Sequence, residues 1–413
     1  MSLLNSLFEF NKSFISTLMN FKFVILFYGA IVLLVYLNRN RFEKQAAFVY
    51  LYKTKLGLNL MDTVGKKYRK IVKFFGYLGI IIAYLGFALV SYTLLISAYD
   101  IIIDKPGAIG GSPVIPGLPI AGLGITFPLV IGWISLFIIM IVHEFSHGMV
   151  ARAHNVRVKS SGFAFFGPIM GAFVEPDDKQ IAKQPHRVQN SIFAAGPVSN
   201  AVLWIVCIAI LAYAIAPAIQ AVGENSGIVL DPITNDTLPA YASGLPKESV
   251  ITSINDYEIK GYDSFIDALE VLKPGDEVTF STKEGKSYNL IATSHPENSS
   301  KAYVGVTNFK QDFSPKKDTP IYRLLLMILR WLSELLMWTG FISINIGLIN
   351  LFPIFITDGA QMLRTNFIDI FRGDQSKALK WWKHVNSVAL MILLIIVFLK
   401  PLRGLVSAFF GLL

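Results

Sequence analysis

The chain has 413 residues, 53% of them hydrophobic and 16% charged, with a formal net charge of +9 and a mean hydropathy of +0.53. A soluble protein of this length needs more charge to cover its surface, so the composition argues against an ordinary soluble enzyme. The basic residues flank long apolar blocks, as in membrane loops, which argues against nucleic acid as a partner. The single cysteine, Cys207, lies in an apolar block and cannot form an internal disulfide.

In chain order, residues 1–20 read as a short surface helix, and no cleavable signal peptide is evident at the apolar block near 23–38. About six candidate membrane spans follow, near 16–37, 74–99, 125–151, 189–215, 326–352 and 385–400. A helix needs roughly 20 residues to cross a bilayer, and the last block is marginal by that measure. Segment 106–128 (PGAIGGSPVIPGLPIAGLGITFP) is uncharged but rich in Gly and Pro. A lipid-facing helix cannot carry so many breakers without freeing backbone groups, so this segment reads as a folded or re-entrant loop packed against protein. The loops at 38–73, 152–188 and 359–384 are strongly basic, while 100–124 carries only Lys105 as a basic residue. Basic loops face the cytoplasm, which places the amino terminus and segment 216–320 outside.

Segment 216–320 is soluble in composition and alternates like strands in SVITSINDYEI, DEVTFSTKEG and KSYNLIATS, with a helix-like run YDSFIDALEVL between the first two. It resembles a PDZ domain, with Tyr241, Ala242, Ser243, Gly244 and Leu245 at the expected peptide-binding loop. Such domains bind an extended peptide as an added strand at a sheet edge. A plain β-rich domain without peptide affinity is the alternative.

The chemistry concentrates at His143-Glu144-Phe145-Ser146-His147. On a helix, positions i and i+4 share a face, so both imidazoles can reach one metal ion and the glutamate lies near its water, as in zinc peptidases. Residues 106–142 contain no charge, and the motif closes that apolar run, where ionisable groups are expensive and usually functional. A helix end surfacing into the cytoplasm is the bland alternative. A catalytic zinc normally takes a third protein ligand. The zincin extension with a third histidine is absent, and His154 lies two turns past His147. Asp358, which closes the uncharged run 335–357, is the better candidate for the third ligand, and a helix-end cap with Asp-Gly as a turn is the alternative. Pro353 breaks the helix, Gly359 permits a turn, and the irregular segment would present Asn350 and Asp358 to a protein cavity.

Taken together, these motifs resemble the site-2 proteases, intramembrane zinc metalloproteases, in their archaeal form with a PDZ-like insert. His143, Glu144 and His147 fit the family's first motif; Asn350, Pro353, Asp358 and Gly359 fit its N-x-x-P-x-x-x-x-D-G motif; Gly196-Pro197-Val198-Ser199-Asn200 fits G-P-x-x-N. The resemblance implies one Zn2+ held by His143, His147 and Asp358, with Glu144 as general base and Asn350 donating to the oxyanion. It also implies a membrane-associated β-hairpin over 156–175, acting either as a strand edge for an unwound substrate or as a structural plug. The expected fold is a multi-span α-helical membrane protein of about six transmembrane helices, with a small β-rich PDZ-like extracytoplasmic domain. Its divisions are an N-terminal two-span region (1–105), a first protease-core part (106–216), the PDZ-like domain (217–320) and a second core part (321–413). The expected partners are the lipid bilayer, a membrane-protein substrate with a transmembrane segment, and a peptide on the PDZ-like domain. The expected location is the cell membrane, with the site toward the cytoplasm.

Overall fold

The computed structural model describes residues 21–46, 49–108, 110–111, 113–120, 125–233, 235–295 and 298–411; the expected surface helix over 1–20 lies outside them. The chain divides into two compact units, Met1–Ile210 with Glu334–Leu413, and Leu211–Ser333.

The helices are α1 (Lys22–Leu37), α2 (Leu58–Lys67), α3 (Arg69–Ile102), α4 (Leu129–Ala153), α5 (His186–Ile210), α6 (Pro320–Leu351), α7 (Asp358–Ile370) and α8 (Gln375–Leu394). Among the described residues, five helical stretches are long and apolar enough to cross a membrane: Arg69–Ile102, Leu129–Ala153, His186–Val222, Pro320–Leu351 and Gln375–Ser407. The first expected span is described as α1, whose 16 residues fall short of the roughly 20 needed. The last block, marginal in the sequence, belongs to a continuous 33-residue stretch. Helix α3 shows why such helices suit lipid. It has no charge between Lys73 and Asp100, and it leaves Ile81, Leu85 and Leu95 more than half exposed.

Helix α4 buries Gly132, Ser135, Ile139, His143 and Val150, a stripe at helical spacing that puts His143 on its inward face. The glycine- and proline-rich loop packs against protein: Gly117 N–H donates to the Phe127 carbonyl at 2.7 Å, and the fully buried Phe127 ring lies 5.0 Å from Trp338.

Four antiparallel strands complete the first unit: β1 (Glu43–Ala46), β2 (Val49–Thr54), β3 (Val158–Phe166) and β4 (Ile169–Pro176), in spatial order β1-β2-β3-β4. The expected hairpin is β3–β4, turning through Gly167 at φ +61°. The sequence reading did not include β1 and β2. They come from the basic loop before residue 105, and β2 pairs with β3 from Val49↔Phe166 to Thr54↔Ser161. One edge of the hairpin is therefore covered by the chain itself, and β4 carries the other.

The second unit is built on β5 (Gly223–Pro232), β6 (Ser249–Ile254), β7 (Tyr257–Glu258), β8 (Glu277–Thr282), β9 (Ser287–Ile291), the hairpin of β10 (Thr293–His295) with β11 (Asn298–Tyr303), and β12 (Val306–Pro315). Its main sheet runs β12-β5-β6-β8-β9, with β7 beside β6. Ile228, Ile251, Phe265 and Phe280 are fully buried at its centre. The expected peptide loop Tyr241–Leu245 overlaps a short helix. Residues Pro239–Ala242 are helical, Leu245 is buried, and the next strand, β6, is interior between β5 and β8. Strand β12 is an edge, and beside it lies the helix Tyr262–Glu270, whose Phe265 ring is 5.5 Å from Phe309. Strand β12 is fastened at Asp312, which accepts from Lys283 Nζ (2.8 Å), Ser226 Oγ (2.6 Å) and Arg330 (2.9 Å). Burial opposes ionisation of that carboxyl, but these donors outweigh it and hold its pKa below the ordinary value.

His154, one residue past α4, is buried with Tyr77 edge-on at 5.6 Å and Ser191 Oγ at 3.5 Å. Burial, reinforced by the positive charges of Lys73, Arg69 and Arg187, pushes its imidazole down to about 4. The unfolded chain takes up this proton at roughly pH 6.5 and the folded chain does not, so folding loses stability as pH falls from there toward 4. The stability advantage of the natural protein over His154→Gln should shrink across that window in thermal unfolding at stepped pH. An advantage that does not change with pH would contradict it.

Candidate metal centre

Helix α4 sets His143 and His147 one turn apart, with ring centroids 4.9 Å apart. Helix α6 ends at Leu351, where the run Phe352–Thr357 begins; Pro353 has no N–H to continue the helix ladder. Thr357 then starts α7 as its N-cap. Its hydroxyl donates to the Phe352 carbonyl at 2.7 Å and accepts from Ile354 N–H (3.2 Å) and Ala360 N–H (3.4 Å). Asp358 is thus the first residue of a new helix. Gly359 differs from the sequence reading: it is helical and does not make a turn. Its use is close approach, because a Cβ there would run into the Leu351 carbonyl oxygen.

The result is convergence. His143 Nε2 lies 3.2 Å from Asp358 Oδ2, His147 Nε2 lies 3.3 Å from Asp358 Oδ1, and the two Nε2 atoms are 3.2 Å apart. Among the described residues this is the one cluster of three or more His, Cys, Asp or Glu side chains able to share an ion. The separations suit zinc. Tetrahedral ligands at roughly 2.0–2.1 Å from the ion stand about 3.3 Å from one another. His147 Nδ1 donates to the Ile192 carbonyl at 2.7 Å, which leaves Nε2 as a bare acceptor toward the cluster. Gly196 faces both rings, and a Cβ there would collide with both Nε2 atoms.

Glu144 lies on the same helix, and its Oε2 accepts from Val174 N–H at 2.9 Å. The outer amides of β4 therefore face α4, since Ala172 N–H also points at Met140 Sδ at 3.3 Å. Asn350 is half-buried in the last turn of α6, next to the point where Leu351 packs on Gly359, and is not hydrogen-bonded to the three clustered residues. His154 and His186 lie apart from the cluster, His186 Nδ1 being 3.0 Å from Asp369.

Asn200 was not assigned a role from sequence. It is fully buried, with its carboxamide nitrogen 3.1 Å from His143 Nδ1 and its oxygen without a partner among the described residues. Turning the amide over puts the orphaned oxygen on His143 Nδ1–H, the arrangement that directs Nε2 to a metal. The signal in the sequence was a polar residue four positions after Gly196 within an apolar helix, hence on the same face. Asn200→Leu should lower zinc affinity about 10- to 100-fold, whereas Asn200→Asp, which still accepts a hydrogen bond, should retain most of it. Competition with a fluorescent chelator reads this directly, and equal affinity in the leucine variant would rule out the orienting contact. Gly196→Ala should block metal uptake by filling the space in front of both rings, as metal analysis of the purified variant would show.

A family model described as peptidase family M50 matches residues 131–396. The chain is 25% identical over 309 residues to the uncharacterized protein MJ0971 of Methanocaldococcus jannaschii, covering 74% of each. A stretch covering 20% of the chain is 26% identical to the PDZ domain of the SdrC-like protein from Listeria monocytogenes, spanning 86% of that domain with a TM-score of 0.18.

Proposed function

The chain belongs to peptidase family M50, the site-2 protease family, and from that premise we propose that it hydrolyses peptide bonds within or near transmembrane segments of membrane-protein substrates. Peptidases of this family are zinc-dependent. The observation that carries the reading is the convergence of two imidazole nitrogens and one carboxylate within 3.3 Å, the imidazoles lying on a helix that also carries a glutamate. In this reading His143, His147 and Asp358 hold the ion. Zinc, when bound there, supplies a Lewis acid for the scissile carbonyl and brings the pKa of water to roughly 7.

Glu144 takes the proton from the attacking water and returns it to the leaving amine. The amide of Val174 holds one of its oxygens, which fixes the carboxylate beside β4. Asn350 donates to the oxygen of the tetrahedral intermediate as negative charge develops there. A helix hides its peptide bonds, so the substrate must unwind. The edge of β4 that pairs with no other strand suits an extended segment of substrate, which would take over the amides now donating to Met140 and Glu144. The basic loops support a site on the cytoplasmic side of a cell membrane. The second unit binds an extended peptide in the PDZ manner, along the β12 edge beside the helix Tyr262–Glu270 rather than at Tyr241–Leu245.

Incubation with a single-span substrate should give product that disappears with a zinc chelator and returns with added zinc. Glu144→Gln should keep its zinc and lose about 10²- to 10⁴-fold in turnover. Asp358→Asn should lose both zinc and activity; full zinc occupancy in that variant would remove Asp358 from the ligand set.

A further inference from the structure

Beside Glu144 lies a cavity of about 330 Å³ with three walls from distant parts of the chain. Helix α4 contributes Phe137, Ile141, Glu144 and Phe145, which are i, i+4, i+7 and i+8 and so share one face. The hairpin contributes Gly162 and Phe163 from β3, with Ala172 and Phe173 from β4. The segment Thr54–Gly57, which begins at the last residue of β2, closes the third side, and its Gly57 backbone is pressed so near the Phe145 ring that a Cβ there would collide with it. Phe137 and Phe163 stack across the cavity at 6.1 Å with an interplanar angle of 16°.

The lining is apolar apart from one carboxylate. Its two hydroxyls are turned onto backbone: Thr54 Oγ1 donates to the Ser161 carbonyl at 3.1 Å, and Ser161 Oγ donates to the Leu56 carbonyl at 2.5 Å. Only Glu144 brings charge to the wall. A side chain placed here finds aromatic and aliphatic contact and few hydrogen-bonding partners. An acidic side chain would also meet the like charge of Glu144.

We infer that this cavity is a specificity pocket, and that it receives a large apolar side chain, aromatic or branched aliphatic, from a substrate residue flanking the scissile bond. The inference rests on the hydrolytic reading of the site. A general base must come within hydrogen-bond reach of the water it activates, so a pocket with that base in its wall lies next to the bond being cut. Ala172 and Phe173 belong to both the pocket and the edge strand β4. A substrate laid along that edge can point alternate side chains into the cavity. The pocket selects by shape and by exclusion of polar groups, which in apolar sites discriminates by roughly 10- to 200-fold per change of side chain.

The test uses the full-length protein with zinc and a single-span substrate whose product ends are located by mass spectrometry. The residues on either side of the cleaved bond are then replaced in turn by Phe, Leu, Ala and Asp, and cleavage at the original bond is timed. At one of the two positions, Phe or Leu should be cut at least tenfold faster than Ala, and Asp should not be cut. Ala172→Phe, which fills the cavity, should reverse the order of Phe and Ala at that position; Phe163→Leu, which widens it, should favour Trp over Phe. Rates within threefold across all residues at both positions would overturn the pocket while leaving the protease reading intact. Failure of the natural protein to cut any substrate in the series would overturn both.

Discussion

Three groups able to ligate a metal, two imidazoles and one carboxylate, converge at the centre of the first unit. His147 Nδ1 is committed to the Ile192 carbonyl, so its Nε2 faces the cluster as an acceptor, and the two Nε2 atoms and the Asp358 carboxylate stand 3.2–3.3 Å apart. Acceptors gathered this closely repel unless a proton or a metal cation lies between them. In a helix bundle bounded by lipid that repulsion is poorly screened, which favours a shared proton or a bound cation among the three groups.

The neighbouring structure serves that convergence. Gly196 leaves room in front of both rings, and Gly359 lets the start of α7 approach the end of α6. Thr357 caps α7 while holding the Phe352 carbonyl, so the chain turns sharply after Pro353 and delivers Asp358 toward α4. Asn200 and the Ile192 carbonyl, both on α5, hold the far sides of the two rings. Helix α5 is thus the support of the site, although it supplies none of the clustered donors.

The sheet addresses a different difficulty. Strands beside membrane helices must satisfy their backbone groups within the protein. Strand β2 covers one side of β3, and on the outer side of β4 the amides of Ala172 and Val174 find Met140 and Glu144. The same contacts bring the glutamate, the edge strand and the segment after β2 around one small volume, so that backbone satisfaction and substrate shape become linked.

How much of this was legible beforehand depended on range. His143, Glu144 and His147 could be read because helical periodicity alone places i and i+4 on one face, and the apolar blocks could be read because lipid demands a length and a composition. The hairpin over 156–175 was expected from the family resemblance, and it joins strands adjacent in the chain. Gly359 was read as a turn residue because a glycine's backbone freedom is visible in sequence, whereas its actual use, a backbone contact with Leu351, is not. That the strand after Tyr241–Leu245 is interior could not be read either, because edge and interior strands look alike until the sheet order is known. Nothing in residues 43–57 marks them as neighbours of Glu144, since antiparallel pairing of β2 with β3 joins positions more than a hundred residues apart. The primary structure by itself determined which residues could bind a metal and which segments prefer lipid, because those properties belong to side chains and to periodicities of a few residues. Tertiary structure alone decided which donors meet, which amide orients which ring and which segments enclose the glutamate, because those depend on contacts between segments far apart in the chain.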